Sequence, residues 1–149
     1  MYSSIVVGTD GSATATAAVR HAIKLAGATG AQLHIVGACA VPAESFAGGE
    51  GGALLGSLAG PEFEAEARAE IEGTLHKSEQ EAAGEGVKAE IHFVLGEPAD
   101  VLMETARETG ADLIVVGNRG MRGARRVLGS VPNRISHQSP CHLLIVHTT

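Results

Sequence analysis

Five short runs rich in Val, Ile and Leu, separated by segments with helical periodicity, constrain this chain more than any other feature of its sequence. Residues 4–8 (SIVVG), 32–39 (QLHIVGAC), 87–94, 112–116 (DLIVV) and 142–147 (HLLIVH) each have the length and β-branched content of a buried strand. Between the first two, Ser12 stands where a helix cap belongs, and Val19, Ala22, Ile23 and Ala26 recur at helical spacing until Gly27 and Gly30 stop them. From residue 62 to about 83, Phe63, Ala67, Ile71 and Leu75 repeat every four positions, with acids on the remaining faces, which predicts a long helix with one stripe packed inward. A third helix is opened by Pro98 and closed at Gly110, and a short fourth one runs from Ser130 to about Gln138, broken by Pro140. Strands that alternate with helices in this way predict an α/β fold, a mostly parallel five-stranded open sheet covered on both faces, in the Rossmann-like manner.

A length of 149 residues with 44% hydrophobic content suits one compact domain and is too short for two ordinary ones. Ligands of such sheets bind beyond the carboxyl ends of the strands, where the winding reverses. Two carboxyl ends are unusual here: the first strand runs into Gly8-Thr9-Asp10-Gly11-Ser12, and the fourth into GNRGMRGARRVLGSVPNRI, residues 117–135. If these two strands are neighbours, Asp10 faces the glycine loop across one crevice.

That loop suits a phosphate. Its glycines let backbone N–H groups approach an anion with no Cβ in the way, and Arg119, Arg122, Arg125 and Arg126 crowd the same span. At its end Ser130 can cap a helix with Pro132 in the first turn, which presents free N–H groups to the loop. The charge is local: residues 61–90 carry nine acids against three bases, whereas residues 117–134 carry five arginines and no acid. A net charge of −6 argues against a general nucleic-acid or anionic-membrane binder, so the basic loop points to a small anionic ligand.

Other readings of the same residues are plainer. A glycine loop after a strand can be only a tight turn, and Asp10 can be only a turn-former bonded to its own backbone. Cys39 and Cys141 form no disulfide framework and no metal spacing, and read as small buried hydrophobes. His137, His142 and His147 lie near the end of the chain without ligand spacing on one face, so no metal site is expected there. Residues 40–60, rich in Gly, Ala and Ser, read as a surface insertion in preference to a lid. No run reaches the length of a membrane span, and residues 1–4 lack the pattern of a signal peptide, so a cytoplasmic protein is expected.

The start IVVGTDGS, the end VVGNRGMRGARRVLGSVPNRISHQSPCHLLIV and the strands between them resemble the universal stress protein family over essentially the whole chain, read as a single domain from 1 to 149. ATP-binding members of that family share Gly, two residues, Gly, about nine residues, then Gly and Ser or Thr; Gly117, Gly120, Gly129 and Ser130 take those places. Eight residues, 121–128, separate Gly120 from Gly129, one fewer than the formula. The missing position falls after Gly123, where the chain returns to the helix, so binding is expected to survive.

The resemblance implies ATP, with or without magnesium, as the bound cofactor. It places Thr9 and Asp10 beside the nucleoside, with the acid on the ribose hydroxyls, and the backbone of Ala38 on adenine. It wraps the phosphates in Gly117, Arg119, Gly120, Met121, Arg122 and Gly123, and has Gly129, Ser130 and Val131 complete their binding through hydroxyl and backbone N–H. It also implies a homodimer through the last strand. An ATP-binding regulatory protein with little or no hydrolysis and no catalytic residue is the leading function. A dimeric interaction protein of the same fold without nucleotide, and a slow ATPase or phosphotransferase, are the alternatives; the chain has no GxxxxGK[ST] loop and no kinase motifs.

Overall fold

The computed structural model describes residues 1–39, 61–118 and 129–148. Strand β1 (Ser4–Thr9) leads into α1 (Ala13–Thr29), β2 (Gln32–Cys39), α2 (Pro61–Gly84), β3 (Ala89–Leu95), α3 (Pro98–Thr109), β4 (Leu113–Gly117), α4 (Ser130–Gln138) and β5 (His142–Val146). All pairings are parallel, in the order β3-β2-β1-β4-β5. The first and fourth strands are neighbours, and the winding reverses between them.

Each face of the sheet carries its own core. On one, Ile5 and Val7 of β1, Leu33 and Ile35 of β2 and Leu113 and Val115 of β4 pack beneath α1 and α2. On the other, Val6, Val36, Ile114 and Val116 pack beneath α3 and against Ile135 of α4. Strand residues alternate between these faces with period two, so an apolar run buried on both sides is what a central parallel strand needs. The fully buried Ile, Leu and Val side chains each contribute about 1.5–3 kcal/mol from burial.

Local chemistry sets most of the boundaries. The Ser12 hydroxyl accepts from the Ala15 N–H at 3.2 Å and caps α1, a contact worth about 1 kcal/mol. Gly27 does not stop that helix. It sits on the exposed side, where the absence of a Cβ costs only propensity, and the helix ends at Gly30, whose φ of 73° is the left-handed C-terminal turn. Strand β3 begins at Ala89 and not at Val87, because the Val87 N–H donates to the Ala82 carbonyl and closes the end of α2. Of the long helix, Leu75, Ser78 and Ala82 are buried, with Ile71 packed against the same core.

Candidate functional site

The crevice lies at the carboxyl ends of β1 and β4 and is assembled from four elements. β1 ends at Thr9, and the next three residues turn sharply into α1. The Thr9 hydroxyl accepts from the Gly11 N–H at 3.2 Å, and Asp10 Oδ1 accepts from the Ser12 N–H at 2.8 Å, while Gly11 takes a φ of 82° that favours glycine. Asp10 is therefore the turn-former that the plainer reading described. A carboxylate has two oxygens, however, and this bond uses one lone pair of one of them, so half-buried Asp10 keeps capacity to accept from a diol.

Gly117 ends β4 against the first turn of α1, where a Cβ would stand 3.3 Å from the Thr14 carbonyl oxygen. No side chain fits there without moving backbone. The next residue, Asn118, holds three segments together. Its N–H donates to the Val146 carbonyl at 2.9 Å, and its carbonyl accepts from the Gly129 N–H at 3.1 Å. Its side-chain Oδ1 accepts from the Thr148 N–H at 2.9 Å and from the Thr148 hydroxyl at 2.8 Å. Asn118 thus pins the two ends of the glycine loop and the end of β5 in one place, a positioning role that sequence reasoning missed. A polar residue directly after a strand and inside a glycine motif was the available signal.

Ser130 is not the cap of α4. Gly129 holds that position with no side-chain cap bond, and Ser130 is the first helical residue. The Asn118 bond explains the shift, since it fixes Gly129 in extended geometry (φ −58°, ψ 160°) one residue before the helix turns. The outcome leaves the backbone N–H groups of Ser130 and Val131 without an acceptor among the described residues, and Pro132 has none to offer. Two bare donors at a helix N-terminus can take an anion.

At the other side of β1, Ala38 is half-buried near the end of β2. The Cys39 carbonyl accepts from the Gly96 N–H, beyond β3, at 2.8 Å. Successive carbonyls of a strand point in opposite directions, so that of Ala38 is aimed toward β1, whose last residue, Thr9, is level with Gly37. The carbonyl emerges where β1 has ended, a place suited to reading a base edge.

The structure therefore brings Thr9, Asp10, Ala38, Gly117, Gly129, Ser130 and Val131 to one end of the sheet. Arg119, Gly120, Met121, Arg122 and Gly123, together with Arg125, Arg126 and residues 40–60, lie outside the described residues. Arg134 is placed elsewhere: its guanidinium pairs with Asp100 at 2.7 Å and ties α4 to α3. Burial raises the Cys141 thiol above its ordinary value, which suits a packing role. His137, His142 and His147 are exposed and do not converge. A different cluster does converge, away from the crevice: His34, Glu90 and His92, on β2 and β3. Sequence reasoning missed it because the pairing of those strands is a tertiary property, although alternate polar residues inside an apolar strand were a visible signal.

The donor set of the crevice fits a nucleotide: bare N–H groups for phosphate, a carboxylate for a diol, a strand-end carbonyl for a base. Comparison with known proteins agrees. The Universal stress protein family model matches residues 1–147. Universal stress protein Rv1636 of Mycobacterium tuberculosis is 37% identical over 150 residues, covering 99% of this chain and 98% of the relative. Universal stress protein YxiE of Bacillus subtilis is 38% identical over 154 residues, covering 98% and 99%. A crystal structure of a universal stress protein in complex with cAMP matches with a TM-score of 0.69 at 35% identity, over 99% of this chain and 98% of that one. Among the described residues, no helix is long and apolar enough to cross a membrane.

Proposed function

This chain belongs to the universal stress protein family, and we propose that it is a cytoplasmic regulatory protein that holds adenine nucleotide, ATP above all, between the carboxyl ends of β1 and β4. The observation that carries this reading is the junction at Asn118, which sets the uncapped N-terminus of α4 beside the end of β4 and next to the first turn of α1. Anion-binding donors at a topological switch point are what a nucleotide site on an open parallel sheet requires. The relative solved with cAMP supports the adenine nucleotide class.

In this reading the N–H groups of Ser130 and Val131 and the Ser130 hydroxyl hold phosphate, with Gly117, Arg119, Gly120, Met121, Arg122 and Gly123 around it. Gly129 gives the helix N-terminus its open approach. Asp10 accepts from the ribose hydroxyls beside Thr9, and the backbone of Ala38 reads adenine. A magnesium ion, where present, accompanies the phosphates and draws no carboxylate ligand from residues 117–147, which contain no Asp or Glu. The nucleotide acts by shifting the balance between bound and free forms, and two copies pair through β5.

Mass spectrometry of ligand released from freshly purified protein, followed by calorimetry with ATP, ADP, AMP and cAMP, tests the assignment. Gly120→Val puts a branched side chain where the phosphates approach and is expected to weaken ATP at least tenfold, about 1.4 kcal/mol. Unchanged affinity in that variant would remove the phosphates from the loop.

A further inference from the structure

Away from the crevice, β2 and β3 place three metal-ligating side chains on one face of the sheet. His34 is level with Glu90, and His92 is level with Val36, so the three project to the same side. Nδ1 of His34 lies 3.0 Å from Nε2 of His92. The Glu90 carboxylate lies 3.6 Å from the His34 nitrogen and 4.0 Å from that of His92. His34 is buried, His92 half-buried, and Glu90 reaches in from solvent.

We propose that His34, Glu90 and His92 form a binding site for a divalent transition-metal ion, with zinc the best-matched ion. Zinc takes imidazole nitrogen and carboxylate oxygen at about 2.0–2.2 Å, so donors that share one ion stand roughly 3–3.6 Å apart. The ring nitrogens already stand at that separation, and the carboxylate needs only a small side-chain adjustment to join them. Both rings are carried by strands paired along their length, so the ligands are organised before an ion arrives. Burial, and then the neighbouring His92 ring, hold the His34 imidazole below its ordinary range, with Glu90 acting in the opposite sense. A ring nitrogen of each imidazole can give its lone pair to an ion. Two imidazoles and one carboxylate leave further positions on the ion for water.

Without an ion, one of the two facing nitrogens donates a hydrogen to the other; when an ion binds, the donor ring takes its other tautomer, with that hydrogen on its far nitrogen, and both facing lone pairs are given to the ion. The site then clamps β3, an edge strand, to β2. It is distinct from the nucleotide crevice, because His34 precedes Ala38 by four residues, about 13 Å along the strand.

Calorimetric titration of the nucleotide-free, chelator-treated full chain with zinc sulfate is the test. One ion per chain is expected, with affinity falling at least tenfold in His92→Gln and in Glu90→Gln. The Glu90 side chain is solvent-facing, so that variant carries the test should the histidine variant fail to fold. Cobalt in place of zinc should give ligand-field absorption without the intense thiolate charge-transfer band that Cys39 or Cys141 would add. Absence of saturable zinc binding, unchanged affinity in the folded variants, or a thiolate band in the cobalt spectrum would each overturn the site.

Discussion

Gly37 marks the tightest approach of helix to sheet, since a Cβ added there would collide with Cγ2 of Ile71 and press on Leu75. Both are side chains of α2, so the missing Cβ lets that helix lie close over β2. Gly37→Ala forces either Ile71 out of its rotamer or α2 away from the strand, and overpacking of this kind costs about 1–3 kcal/mol. Urea denaturation should show that loss in the midpoint with an unchanged slope, and a change below about 0.5 kcal/mol would mean that α2 rests on β2 less firmly than the contact indicates. Nothing in the sequence marks Gly37 as different from Gly27, an exposed helical position where an added Cβ would meet Cγ2 of Val87 at an ordinary 3.4 Å. Residues whose role is local were legible: Ser12, Pro98 and Gly110 act on their own backbone neighbours. Residues whose role depends on what crosses over them, such as Gly37, Asn118 and the cluster of His34, Glu90 and His92, were not. The contacts that define those roles are distant in the chain: Ile71 is 34 residues from Gly37, Thr148 is 30 from Asn118, and His92 is 58 from His34.

At the scale of elements, β2, α3 and α4 span the residues the sequence pattern gives, while β1, α2, β3, β4 and β5 differ from it by one or two positions at one end or both. The start of α4 is the instructive case. Ser is a stronger cap than the Gly before it by intrinsic preference, yet Gly129 takes the position because Asn118 holds it. Gly129 has no side chain to accept from the first turn, so the Ser130 and Val131 N–H groups stay open toward an anion. Strand β5 poses the opposite problem of open groups. It lies at the edge of the sheet, and the His142 N–H and Val146 carbonyl are used by bonds to Asp112 and Asn118 on the β4 side. By alternation, the N–H and carbonyl groups of Leu143 and Ile145 face outward from the sheet. An apolar edge with open backbone groups invites pairing, and a second copy across a two-fold axis satisfies it. Ile145→Pro removes one outward donor and leaves the β4 ladder its bonds. The parent chain is expected to give the dimer mass in light scattering at micromolar concentration, and the variant to stay folded and fall to monomer mass. A monomeric parent, or a variant that stays dimeric, would move the interface elsewhere.

For the molecule as a whole, the pairing of β1 with β4 was the step on which everything else depended; the turn chemistry after the two strands raised it only as a condition, and the sheet order β3-β2-β1-β4-β5 meets that condition. With those strands as neighbours, the crevice between their carboxyl ends is where the proposed nucleotide would lie, and the side chains that the sequence can bring to its phosphates bear on its fate. Phosphoryl transfer needs metal ligands to neutralise charge on the phosphates and a residue to position the attacking water or hydroxyl. From Gly117 through His147 there is no Asp or Glu, and the crevice end of β1 supplies Asp10 alone, already engaged by the Ser12 N–H. In the proposed site, backbone N–H groups at Ser130 and Val131 would hold ground state and transition state alike, and uniform binding does not accelerate a reaction. The net charge of −6 adds no general attraction for further anions beyond the arginine-rich loop. ATP should therefore be held and not consumed. A steady-state phosphate-release assay on nucleotide-free protein, with magnesium or manganese present, is expected to stay well below about one turnover per second, the low end of ordinary enzymes. Faster release that disappears in both Asp10→Ala and Ser130→Ala would place a reacting phosphate within reach of those two residues and make the protein an ATPase.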